Sequence, residues 1–62
     1  MFKYKRDEIL IYDNWVSCRI LEPLEIDDGY CYRIEFRDVD NYLSNLVVAE
    51  YELSRPKKEL MK

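Results

Sequence analysis

The sequence predicts a mainly β fold, a small five-stranded barrel with one short helical turn near the C-terminus. Apolar and polar residues alternate along several short segments, which is the periodicity of strands that bury one face. Polar turn sequences separate these segments. The 62-residue chain is 48% hydrophobic and contains one glycine and two prolines, a composition typical of a folded domain and not of a flexible linker.

The first two predicted strands lie in the N-terminal half of the chain. The first covers residues 9–12, and the polar pair Asp13-Asn14 after it is typical of a tight turn. The second begins at Trp15 and is expected to bend or end near Glu22, because Pro23 has no amide hydrogen to give to a sheet.

The third predicted strand has the clearest alternation in the chain. It follows the turn sequence Asp27-Asp28-Gly29, in which the only glycine is expected to supply a positive φ. From Tyr30 to Arg37 every second residue is apolar, as in a strand with one buried face. Another turn, rich in aspartate and asparagine, is predicted from Asp38 to Asn41.

The last part of the domain mixes helical spacing with β-branched residues, so strand and helix compete there. We expect a strand over residues 42–48, one helical turn over residues 49–52, and a short strand that stops at Pro56. The domain is therefore placed at residues 1–56, followed by a frayed basic tail at residues 57–62.

Strand alternation also predicts which side chains form the core. The residues expected on the inner face are Ile9, Ile11, Val16, Cys18, Ile20, Tyr32 and Ile34. A slip of one residue in any strand would exchange its two faces. Cys18 and Cys31 are predicted to lie on opposite faces and to remain thiols, since a disulfide needs Cβ atoms that point toward each other.

The order of elements resembles the SH3-like barrels of the Tudor and KOW type over about residues 6–56. Four segments look like parts of that family: its first, second and third strands and the helical turn before its last strand. In this order they are residues 7–12 (DEILIY), 15–20 (WVSCRI), 32–38 (YRIEFRD) and 48–53 (VAEYEL). The chain departs from the family pattern at Arg6, where a glycine is usual.

The resemblance implies a binding module, since Tudor-type domains often hold a methylated cation in a cage of aromatic rings. By position, Tyr12 and Phe36 match two walls of the cage with Trp15 nearby, and Asn41 matches a polar residue beside it. Val39 stands where a third aromatic is expected, so the cage is incomplete. We favour the alternative that Tyr12 and Phe36 pack against the core.

Other candidate contacts lie on the predicted outer face. Trp15 and Arg19 are residue types that anchor protein interfaces, although we slightly favour the alternative that Trp15 closes one end of the barrel. Arg19, Arg33 and Arg37 would form a small basic face. Glu35 lies between Arg33 and Arg37 on the third strand and is expected to pair with one of them, and ion pairing across strands is the simpler explanation of the basic residues.

Composition argues against an enzyme, a cofactor and a metal site. Without histidine, the chain has no histidine triad and no histidine-ligated zinc, and one glycine is too few for a phosphate loop. No apolar run is longer than that of Leu46–Ala49, which is far shorter than the ~20 residues of a membrane span. No secretory signal is recognisable at the N-terminus, so a cytoplasmic location is expected.

The sequence thus predicts a small binding module or accessory protein that acts on a protein partner. Analogy with other small chains of this fold suggests a phage or bacterial source. The alternative is a nucleic-acid-binding barrel that uses arginines and stacked aromatic rings. The net charge of −3 weakly disfavours contacts with phosphates. A monomer and a homodimer both remain open, because Leu43, Leu46 and Tyr51 are apolar residues that a second copy would cover.

Overall fold

The computed structural model describes residues 1–56, and the predicted tail at residues 57–62 lies outside the described residues. Five strands and a single 3-10 turn occur in the described part of the chain. In chain order they are β1 (Ile9–Tyr12), β2 (Val16–Ile26), β3 (Gly29–Arg37), β4 (Leu43–Ala49), the 3-10 turn (Glu50–Glu52) and β5 (Leu53–Ser54). The predicted β class is confirmed, as is the order of strand, helical turn and strand at the C-terminal end.

The strands form one antiparallel sheet in the order β4-β3-β2-β1-β5. Consecutive strands pair through short turns from β1 to β4, and the chain then returns through the 3-10 turn to pair β5 with β1. The two edge strands, β4 and β5, do not pair with each other, so the sheet is open and its hydrogen bonds do not close the predicted barrel.

Every strand contributes a buried side chain to a single apolar cluster, and the N-terminal segment adds one more. The buried members are Tyr4, Leu10, Cys18, Ile20, Tyr32, Ile34, Val48 and Leu53. No polar or charged side chain is buried among the described residues. The fold is therefore held mainly by burial of apolar surface, at roughly 25 cal/mol for each Å² removed from water.

The predicted inner face is correct for the buried residues of β2 and β3 and wrong for β1. Ile9 is 52% exposed and Ile11 is half-buried, whereas Leu10 between them is 0% exposed. Leu10 pairs with Cys18 in the antiparallel register, which places both side chains on the same face. Because all residues of β1 are apolar, alternation alone did not indicate which face of this strand is buried.

β2 continues to Ile26 and does not end near Glu22, so of the two predicted alternatives the bend is the one that fits the register shift between Ile20 and Glu22. β1 pairs with β2 only as far as Arg19, and the register with β3 shifts after Ile20. The second half of β2 therefore has β3 as its neighbour and no strand on its other side within the described residues. A strand with one neighbour accommodates Pro23 when the proline nitrogen faces away from that neighbour.

The β2–β3 hairpin has a two-residue loop, Asp27 and Asp28, with φ values of 49° and 64°. Two consecutive positive φ values are the signature of a type I′ turn, whose twist matches that of the flanking strands. Gly29 is the first residue of β3 and its φ is not positive, so the predicted role of the glycine is wrong. Aspartate adopts this left-handed backbone conformation more readily than most residues, because its short side chain can hydrogen-bond to the nearby backbone.

The hydroxyl of buried Tyr32 connects three parts of the chain. It accepts the backbone N–H groups of Lys3 and Tyr4, both at 3.1 Å, and donates to the carboxylate of Glu50. Glu50 also accepts the N–H of Lys3 at 2.9 Å. These bonds hold the N-terminal segment and the 3-10 turn against the middle of β3.

The Tyr32–Glu50 bond predicts a loss of stability at both extremes of pH. The bond lowers the pKa of Glu50, so its stabilising contribution is complete above the ordinary value of 4.5 and is lost as pH falls through the folded-state value. Burial, and then the bond to Glu50, raises the pKa of Tyr32, so its contribution is complete below 10.0 and is lost as pH rises further. Thermal melting followed by circular dichroism across this range measures both effects.

Glu50→Gln is the control variant for this pH dependence. It is expected to melt at a lower temperature at neutral pH and to lose part of the decline that the wild-type chain shows on the acid side. A melting temperature that declines equally steeply in acid for both chains would contradict the role given to Glu50.

Candidate functional site

A groove of about 690 Å³ lies at the end of the sheet where the β1–β2 and β3–β4 turns meet. The antiparallel pairing of Arg19 with Glu35 places the first residues of β2 beside the last residues of β3, which brings these turns together. The groove is lined by Trp15, Val16, Ser17, Phe36, Arg37, Asp38 and Val39.

Trp15 is the most prominent side chain of the groove. It lies in the β1–β2 turn and is 75% exposed, so it neither belongs to β2 nor closes an end of the sheet, contrary to both expectations. The two residues before it, Asp13 and Asn14, have φ values of 54° and 71°. The backbone N–H of Trp15 donates to the backbone carbonyl of Tyr12 at 3.3 Å. The backbone of the turn is thus held by local bonds that do not involve the indole.

Trp15 borders a second groove of about 710 Å³ as well as the first. Ile11, Asn14, Ser54 and Arg55 complete the lining of this second groove. The indole therefore stands between two concave surfaces, and a partner bound on either side would contact it.

Phe36 and Tyr12 are partly buried and pack against the core, which confirms the interpretation favoured from the sequence. Phe36 also lines the first groove, but Tyr12 does not. Burial raises the pKa of Tyr12, and the carboxylates of Glu52 and Asp13 raise it further, so its hydroxyl is neutral at physiological pH. The aromatic walls of the groove are therefore Phe36 and Trp15 alone.

The turn between β3 and β4 is organised by Asp38. The carboxylate of Asp38 accepts the N–H groups of Asp40 at 2.9 Å and Tyr42 at 3.0 Å, and its backbone carbonyl accepts the N–H of Asn41 at 2.8 Å. Asn41 has a φ of 67° and does not line the groove, so it acts in the turn. The predicted turn is confirmed, and it presents Val39 to solvent beside the groove.

Arg19 is held between two carboxylates. Its Nη2 lies 2.8 Å from Oε1 of Glu35, and its Nη1 lies 3.2 Å from Oδ1 of Asp7. Arg19 and Glu35 face each other across β2 and β3, so the expected ion pairing between strands is confirmed. The expected partners of Glu35 on its own strand were wrong, because neighbours on one face of a strand are farther apart than residues directly opposite.

The other arginines of the predicted basic face are also engaged. Nε of Arg33 lies 3.0 Å from Oε2 of Glu22, the residue opposite it on β2. Nη1 of Arg37 donates to the backbone carbonyl of Asn41 at 2.9 Å. Exposed pairs of this kind contribute about 0–1 kcal/mol each, so they organise the surface more than they stabilise the fold.

The cysteines lie where the sequence placed them, with Cys18 buried in the core and Cys31 half-buried on the other face of the sheet; both are free thiols. Burial raises the pKa of Cys18, which lowers its thiolate fraction and its reactivity. Among residues 1–56, the structure groups no three metal-ligating side chains and contains no helix long and apolar enough to cross a membrane.

The structure brings two of the predicted binding residues, Trp15 and Phe36, to the groove. The remaining predicted residues lie elsewhere: Tyr12, Arg19 and Asn41. Ser17 and Arg37 also line the groove; Ser17 was not predicted as a site residue, and Arg37 was considered only as part of the basic face. The alignment of β2 with β3 would have identified them, because it places Ser17 beside the last residues of β3.

The groove combines apolar walls with a polar rim. Trp15, Phe36 and Val39 supply apolar surface, while Ser17 and Asp38 supply hydrogen-bonding groups. A surface of this composition fits an apolar group that is flanked by hydrogen-bonding groups. Comparison of the chain with models of protein families, with curated proteins and with solved structures finds no match.

Proposed function

We propose that this chain is a non-enzymatic binding module that holds a segment of a partner protein in the groove beside Trp15. The observation that carries the proposal is the exposed indole, which has no part in the core and is supported by a turn formed without it. A tryptophan that is 75% exposed adds little to the burial of apolar surface, whereas tryptophan is strongly enriched among the residues that dominate binding energy at interfaces.

The fold that accompanies this proposal is an SH3-like barrel. Three features support it: the strand order β4-β3-β2-β1-β5, the register shift in the middle of long β2, and the 3-10 turn directly before β5. All five strands bury residues in one cluster on one face of the sheet. A single sheet encloses such a cluster by curving around it.

The charges of the surface favour a protein over a nucleic acid as the partner. Arg19, Arg33 and Arg37 each have an acceptor within the chain, and the chain carries a formal net charge of −3. Phosphate contacts would have to replace these bonds and overcome the net repulsion. Arg37 and Asp38 also balance each other's charge at the groove.

Trp15→Ala is expected to abolish partner binding while it changes the free energy of unfolding by no more than about 0.5 kcal/mol. The experiment is affinity capture from lysate of the native host with immobilised wild-type chain, Trp15→Ala and Tyr51→Ala. Tyr51 is a matched control because it is also an exposed aromatic residue but lines neither groove. Proteins recovered by the wild type and Tyr51→Ala, and missing with Trp15→Ala, are the expected result.

The same experiment distinguishes the nucleic-acid alternative. Phosphate-driven capture weakens steeply as salt rises and disappears after nuclease treatment, whereas capture in an apolar groove survives both. Recovery of nucleic acid without protein, or equal recovery of the same proteins by wild type and Trp15→Ala, would refute the proposed function.

A further inference from the structure

β4 forms an open edge of the sheet. It pairs with β3 through seven consecutive residue pairs without a register shift, from Leu43 to Ala49. On its other side, β4 has no neighbouring strand within the part of the chain that the structure describes. An edge of this kind presents backbone N–H and C=O groups that can pair with another strand.

The sequence of β4 lacks the features that usually keep edge strands apart. Residues 43–49 (LSNLVVA) contain no charge, no proline and no glycine, in a chain of which 37% is charged. The other edge is protected, because β5 is only two residues long and is followed by Arg55 and Pro56. Of these two edges, β4 is therefore the one suited to extension of the sheet.

We propose that β4 pairs antiparallel with β4 of a second copy of this chain, which joins two five-stranded sheets into one. A two-fold axis relates the copies, so the same surface is used on both. Pairing centred on Leu46 matches all seven residues of each strand, whereas any shift leaves residues at both ends unpaired. The proposal depends on β4 alone and is independent of the groove beside Trp15.

The side chains of β4 suit this self-pairing. The pairs between the copies are Leu46 with Leu46, Ser44 with Val48, Asn45 with Val47 and Leu43 with Ala49. Leu46 is 40% exposed although Ile34, directly opposite it on β3, is buried, so the second copy covers apolar surface that one chain leaves open. No pair brings charges together, and each copy offers the other a strand of the same length without charge.

The test is the mass of the full-length chain in solution, measured by analytical ultracentrifugation over a range of concentrations. The wild type is expected to form a dimer as concentration rises. Leu46→Lys places two ammonium groups across the axis and is expected to weaken the dimer by about tenfold or more. Ile26→Lys is the matched control, because Ile26 is also a strand residue and is 45% exposed. It lies on β2, which is separated from β4 by β3, so dimerisation of this variant is expected to be unchanged.

Val47→Lys keeps the proposal testable if Leu46→Lys does not fold, because Val47 lies on the face of β4 opposite to the core residue Val48. It is expected to weaken the dimer as well. Amide hydrogen exchange provides a second readout, with exchange along β4 slower at high than at low concentration. A chain that stays monomeric throughout, or a dimer unaffected by both lysines, overturns the proposal. Protection of β4 that appears only after another protein is added also overturns it.

Discussion

Leu10→Ala is expected to lower the free energy of unfolding by about 2–5 kcal/mol. Leu10 is 0% exposed and lies in the core cluster, so truncation removes apolar contacts and leaves a cavity. A domain of this size has a total stability of only about 3–5 kcal/mol. The variant is therefore expected to be largely unfolded near physiological temperature, as measured by urea denaturation or by thermal melting.

Ile9→Ala is the matched control for Leu10→Ala, because the residues are neighbours with side chains of similar size. Ile9 is 52% exposed and lies on the other face of β1, so its truncation is expected to cost less than about 1 kcal/mol. A larger loss of stability for Ile9→Ala than for Leu10→Ala would mean that β1 is shifted by one residue and that its faces are exchanged.

Tyr32→Phe is expected to lower the free energy of unfolding by about 2–3 kcal/mol through the loss of one oxygen atom. The backbone N–H of Tyr4 loses its acceptor in a buried position, the N–H of Lys3 keeps only its bond to Glu50, and Glu50 loses a donor. The ring remains, so packing is preserved and the effect reports hydrogen bonding. Urea denaturation measures it, and the variant should also lose part of the alkaline decline in stability.

Tyr30→Phe is the control for the hydroxyl of Tyr32. The hydroxyl of Tyr30 makes its hydrogen bond at the surface, and its ring packs edge-on against Phe2 with 4.8 Å between the ring centroids, a contact that phenylalanine keeps. The expected cost is below about 1 kcal/mol, since water replaces an exposed partner. Equal losses in the two variants would contradict the role assigned to Tyr32 in holding the N-terminal segment.

The parts of the fold that could be predicted from sequence are those with an unambiguous local pattern. From Tyr32 to Arg37, β3 alternates between apolar and charged residues, so both its position and its buried face were predicted correctly. The turn at Asp38 was recognisable because aspartate and asparagine tolerate its backbone and bind its amides.

The errors have a common physical cause, which is that neighbouring strands decide what a local pattern leaves open. The face of β1 depends on pairing with β2, and the passage of β2 through Pro23 depends on the absence of β1 beside it. The contribution of Tyr4 to the core was not anticipated, because this residue lies outside any strand and is buried through contacts distant in sequence.

The candidate site follows the same rule. Trp15 was predicted as a binding residue from its residue type and Phe36 from its match to a wall of the aromatic cage, and both line the groove. The assignment of Arg19 to a binding surface could not anticipate its bonds to Asp7 and Glu35, since these depend on how the strands are aligned. Residue type thus indicates capacity for binding, whereas the register determines which side chains remain available.

The proposed function is tested most directly at Trp15, the only tryptophan of the chain. With fluorotryptophan at this position, fluorine NMR shows a single signal that reports on the groove, whatever tryptophans the partner contains. On addition of the captured partner protein, the account predicts that this signal shifts and becomes less accessible to a soluble paramagnetic quencher. An unchanged signal while the partner is bound, as established by calorimetry on the same samples, would contradict it.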